Sequence, residues 1–153
     1  MAPTTAAVIF MIYAALNGVT TSYIFLVYTA TSLVAAFAIT AGMFASMSVF
    51  GLLTTRSLAG VGQFLYMGLI GLIVASVVSI FVVSDALIFL ISVVGVVVFT
   101  GLTAWHSQRL KEMAVALPDG RVGAYAVVGA LSLYLDFINL FFFLLRFTGG
   151  RRD

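Results

Sequence analysis

The sequence has 153 residues, 63% of them hydrophobic and only 8% charged, with a net charge of +2. Soluble domains carry about 25% charged residues, so this chain lacks the polar groups to cover a water-facing surface and reads as an integral membrane protein. The small net charge gives no reason to expect a nucleic-acid partner, and the absence of cysteine excludes disulfides, thiolate catalysis and Cys-ligated metal.

Five apolar segments follow in chain order, each long enough for the roughly 20 residues a spanning helix needs. Residues 1–55 contain no Asp, Glu, Lys or Arg, and neither do residues 57–84. The opening "MAPTTAAVIF" has no basic region of the kind that starts a cleaved signal peptide, so the first segment is expected to be retained. Pro3, with Thr4 and Thr5, reads as a helix start. The first segment covers residues 5–27 and has a polar middle, "NGVTTS". Those groups can kink the helix or wall a polar cavity; Asn17, Thr20, Thr21 and Ser22 can also bond one another or nearby carbonyls, which is the favoured reading.

The second segment covers 31–53, and the loop "TTRSLAG" follows it. The third covers 59–83 and closes at "SD". The fourth starts at residue 86 and is predicted to run past the membrane to 117, because "QRLKEMAVAL" is rich in good helix formers. A turn, "PDG", is centred on Asp119, and the fifth segment covers 122–147. Within a bilayer, runs like these satisfy their backbone groups only as helices, which predicts an all-α, multi-pass membrane bundle. Gly42 with Ser46, Gly71 with Ala75, and Ala75 with Ser79 have the spacing of helix-packing positions.

Charge placement bears on topology. With five crossings, Arg56, Arg109, Lys111 and Arg121 fall on the side of the N-terminus, and Arg146, Arg151 and Arg152 on the other. That balance decides nothing. If the last segment dips in and returns, all seven lie on one side, which the positive-inside rule makes cytoplasmic. In both arrangements the loops carrying Arg56 and Lys111 share a side, taken here as the cytoplasmic one.

The stretch "GALSLYLDFINLFFFLLRF" holds a carboxylate, Asp136, near its middle. An unpaired Asp at a helix centre costs about 2.5–3.5 kcal/mol on insertion scales. Folding the last two segments as a hairpin about Asp119 puts His106 13 residues before the centre and Asp136 17 after it. At the helical rise these lie about 20 and 25 Å from the turn, nearly level. Such a pair can share a proton and titrate as a coupled unit. A static clasp between two helices is the simpler role, but intramembrane ionisable groups usually mark ion or proton paths. Arg109 and Arg146 are expected to snorkel to the interfaces. Asn139, one turn after Asp136, shares its face and adds an oxygen for a passing cation. Asn17 is a second candidate polar residue along such a path. One carboxylate is too few for a tight calcium site of six to eight oxygens, so no resident metal or cofactor is expected.

"YLDFINLFFFLLRF" at 134–147 resembles the C-terminal signature of the Bax inhibitor family, the transmembrane Bax inhibitor motif proteins. "ALNGVTTSYIFLVYTATS" at 15–32, "FAITAGMFASMSVFGLLTTRSLAG" at 37–60 and "GVVVFTGLTAWHSQRLKEM" at 95–113 resemble other parts of it, in order, and the match is closest to the bacterial branch. The resemblance implies a seven-helix fold with the last helix central, and a location in the bacterial inner (cell) membrane. It implies a pH-sensitive calcium leak gated by two aspartates that share a proton. It also implies a link, in some bacterial members, to a membrane-bound quality-control protease. The five segments correspond to that family's helices three to seven, so its first two helices and an arginine in the second have no counterpart here. The first gating aspartate falls on His106 and the second on Asp136. An acid pair has become a His–Asp pair, which attracts when both groups are charged. The family's acid-to-base gating profile is therefore expected to be lost or to become non-monotonic.

Two functions of different kinds follow: a channel-like ion leak, or a non-conducting regulator that binds a membrane protease or stress-response partner through its loops. An intramembrane hydrolase would need a second acid near Asp136 or an organised Ser–His pair. Asp85 lies at the far end of its helix from His106, and Ser107 points elsewhere on the helix, so no enzyme activity is expected.

Overall fold

The computed structural model describes residues 2–116 and 119–148. Six helices follow in order: α1 (Pro3–Thr21), α2 (Ile24–Val27), α3 (Ala30–Leu53), α4 (Ala59–Phe81), α5 (Asp85–Ala116) and α6 (Asp119–Thr148). The described residues form an all-α bundle, and α1 with α2 makes one span, so five segments are long and apolar enough to cross a membrane. Large apolar side chains such as Phe64, Met67, Ile70 and Phe81 are exposed along α4. That is the surface a lipid solvent calls for.

Local chemistry accounts for the breaks. Pro3 occupies the first turn of α1, where its missing N–H costs nothing. The first span is interrupted at Ser22–Tyr23, at the end of the polar stretch. There the hydroxyls of Thr20, Thr21 and Ser22 bond back to the carbonyls of Leu16, Asn17 and Val19. Such bonds compete with the helical ladder and bend it. Thr29 caps α3 by accepting the Ser32 N–H.

The sequence places a turn on Asp119, but in the structure Asp119 is the first residue of α6. The predicted end of the preceding helix at residue 117 lies outside the described residues.

Of the two arrangements open for the last segment, the structure fits the crossing rather than the re-entrant one. α6 is one continuous helix of 30 residues, and at the helical rise it advances about 45 Å without turning back. It is long and apolar enough to cross a membrane, and it carries Arg146 to the opposite end of the bundle from Arg56, Arg109 and Lys111.

The bundle is built on α5 and α6, which form the most extensive pair. α3 packs against both, α4 against α5, and α1 against α6. One core joins Leu65 and Leu72 of α4, Val98, Phe99 and Leu102 of α5, and Leu140 and Leu144 of α6. A second joins Ile24, Tyr28, Leu33 and Ala36 to Phe141 and Leu145.

Of the small residues whose spacing suggests packing, Ala75 lies against the main core, but the two glycines do not make close approaches. A side chain added at Gly42 or Gly71 would meet nothing within 4 Å. Both glycines are exposed, and Ser46 simply bonds back to the Gly42 carbonyl. Tight sites include Gly51 against the Ala104 backbone, Gly62 beneath the Trp105 ring and Gly95 beneath Phe143. Spacing alone does not say which side of a helix faces a neighbour.

Candidate functional site

Asp136 is the most buried carboxylate described, 3% exposed, on the face of α6 turned to α5. Its Oδ2 lies 2.5 Å from Nδ1 of His106 on α5. Helix geometry puts them level, and the antiparallel pairing of α5 and α6 turns them towards each other. The other imidazole nitrogen, Nε2, lies 3.0 Å from the hydroxyl of Tyr66 on α4. Three helices therefore contribute to one hydrogen-bonded chain: Tyr66, His106, Asp136.

Trp105 supports this chain. Its ring meets Tyr66 edge-on, with centroids 5.1 Å apart and planes at 85°, and it lies over Gly62, where any added side chain would collide with it. Arg109 sits with its guanidinium 5.4 Å from the centre of the same indole, a cation–π contact. Neither it nor Arg146, which lies over Phe143, forms an ion pair with Asp136. A cavity of about 320 Å³ opens beside the chain, lined by Tyr66, Trp105, His106, Arg109, Tyr125 and Ser132 among others.

The other two candidate path residues lie apart. Asn17 donates from Nδ2 to the Tyr134 hydroxyl at 3.0 Å, tying α1 to α6 within an aromatic group that includes Phe10 and Tyr13. Asn139 donates to the Leu135 carbonyl of its own helix at 2.7 Å and lines a separate cavity of about 180 Å³ with Tyr23, Tyr28 and Arg146. The described residues contain no cluster of three or more His, Cys, Asp or Glu that could hold a metal ion.

The whole chain, residues 1–153, matches the family described as inhibitor of apoptosis-promoting Bax1. The chain belongs to the Bax inhibitor family. It is 48% identical over 147 residues to the inner membrane protein YbhL of Escherichia coli, covering 94% of this chain and 63% of that relative. It is 52% identical to an uncharacterized protein of Borreliella burgdorferi, covering 97% and 65%. It is 47% identical to the uncharacterized protein RP147 of Rickettsia prowazekii, covering 97% and 64%. The chain thus spans a little under two thirds of the length of these curated relatives. It is an integral membrane protein of the bacterial inner (cell) membrane type.

In this Bax inhibitor family chain two residues near the pair escape sequence reasoning. Tyr66 lies in an apolar run with no charge nearby to draw notice. Gln108 stands in "WHSQ", two residues after His106, and is 5% exposed. Its amide oxygen accepts the Leu58 N–H at 2.8 Å and its amide nitrogen donates to the Arg56 carbonyl at 2.7 Å. Lys111 adds a bond to the Leu52 carbonyl at 2.7 Å. The end of α5 thereby clamps the α3–α4 loop. A buried group left without its partner costs about 1–3 kcal/mol. Gln108→Leu strips partners from two backbone groups of that loop and is expected to speed tryptic cleavage after Arg56 about tenfold or more, through more frequent local opening. An unchanged cleavage rate would show that the loop is held by other contacts.

Proposed function

We propose that this protein is a channel-like calcium leak whose conductance is governed by the His106–Asp136 pair. The observation that carries the reading is a buried carboxylate hydrogen-bonded to an imidazole across the α5–α6 contact. A buried acid–base contact at the centre of a membrane bundle is costly to maintain, and its strength changes with the protonation of either partner. Family membership supports the same reading: the resemblance read from the sequence implies that His106 and Asp136 fall where that family has its gating acid pair. Calcium is the transported ion in this reading, and the protein carries out no catalysis.

At intermediate pH both groups can be charged and attract. Acid neutralises Asp136 and base neutralises His106, and either change weakens the contact. In calcium-loaded liposomes the flux is therefore expected to be lowest at intermediate pH and higher on both sides. Asp136→Asn is expected to flatten this dependence. Absence of calcium flux at every pH would overturn the reading and favour a non-conducting regulator that acts by binding a membrane protease or other partner through its loops.

A further inference from the structure

We infer that Tyr66 is the positioning residue that sets the tautomer of His106, holding the imidazole proton on Nδ1, where it faces Asp136. A neutral imidazole has one nitrogen that donates and one that accepts, and the hydrogen bond made by one fixes the state of the other. Here both nitrogens are engaged, Nδ1 by the Asp136 carboxyl and Nε2 by the Tyr66 hydroxyl. A phenol oxygen shares its lone pair with the ring, so the hydroxyl is a better donor than acceptor. Tyr66 O–H therefore donates to Nε2, and Nδ1–H donates to the Asp136 carboxylate. Neutral imidazole in water prefers its proton on Nε2, which in this site would turn the Nδ1 lone pair towards a carboxylate oxygen.

The surroundings favour a positioning role. The Tyr66 ring is fixed edge-on by Trp105, and Trp105 is seated on Gly62. The other charged and titratable groups near the ring are Arg109, on the same helix and stacked on Trp105, and Tyr125 of α6, across the cavity. α3 contributes none, because residues 30–53 contain no ionisable side chain. On the reading of the pair as a gate, Tyr66 protects the alkaline side. Once the imidazole is neutral, only a proton held on Nδ1 keeps a hydrogen bond to Asp136.

His106 is the only histidine in the chain, so ¹⁵N-histidine labelling reports on it alone. In the reconstituted native protein, on the alkaline side of the imidazole titration, the proton is expected on Nδ1, with Nε2 at the position of a hydrogen-bonded acceptor. Tyr66→Phe keeps the ring against Trp105 and removes only the hydroxyl. It is expected to raise the Nε2–H population, which moves the Nε2 resonance upfield and that of Nδ1 downfield, and to increase calcium flux severalfold on the alkaline limb while leaving the acid limb unchanged. A native proton on Nε2, or identical ¹⁵N spectra for native and Tyr66→Phe, would overturn the inference. The spectra do not depend on conduction, so a protein that passes no calcium but shows the Nδ1–H tautomer separates failure of the gate from failure of the tautomer assignment.

Discussion

Replacing His106 with aspartate is expected to turn a calcium flux with a minimum at intermediate pH into one that changes in a single direction. The native pair joins groups of opposite charge, so its contact weakens towards acid and towards base. His106→Asp creates two facing carboxylates. A shared proton joins them at acid pH, and its loss leaves two like charges. Unit charges about 4 Å apart interact by about 4 kcal/mol at an effective dielectric of 20, so reversing the sign of this contact has a large effect. The variant's α5–α6 contact loosens only on the alkaline side. The two carboxylates titrate as a pair, with apparent values belonging to neither residue alone. The measurement is the same liposome titration for both proteins, side by side. Profiles of one shape would show that the charge at residue 106 does not govern flux.

The second large effect lies in packing. Gly51→Ala is expected to lower thermal stability in detergent by about 1–3 kcal/mol, or roughly 2–12 °C in Tm. The added methyl would overlap the Ala104 carbonyl, which is backbone and cannot swing aside like a side-chain tip. α3 and α5 must then separate, two residues before His106 on α5. Gly42→Ala is the internal comparison. It meets open space and removes a poor helix former, which favours the helix by up to about 1 kcal/mol. Equal Tm changes in the two variants would mean that α3 and α5 are less tightly apposed than the Gly51–Ala104 contact requires.

Much of this molecule can be read along one dimension. Two runs without a charge, 1–55 and 57–84, and the apolar stretches after them are enough to specify a helical membrane protein with five spans. Depth is also linear in sequence, since each helical residue advances about 1.5 Å. That is why His106 and Asp136 can be put level by counting from the connection between their helices, even though α6 starts at Asp119 itself. The break in the first span is likewise local, because Thr20, Thr21 and Ser22 bond carbonyls within their own turn.

Rotation of each helix about its axis is not linear in sequence, and the tertiary structure alone decides it. In water an apolar stripe marks the buried face. In lipid, the outward face is as apolar as the inward one, so hydrophobicity cannot tell them apart. That is the reason Gly51 and Gly62 sit at helix contacts while Gly42 and Gly71 do not. It is also why Asn17 finds Tyr134 on a helix more than a hundred residues away, and why Gln108 turns to the α3–α4 loop rather than to the pair. The third member of the hydrogen-bonded chain, Tyr66, belongs to the same class. Its place beside His106 depends on how α4 is turned against α5, and that angle is set by the seating of Trp105 on Gly62, a contact between residues 43 positions apart.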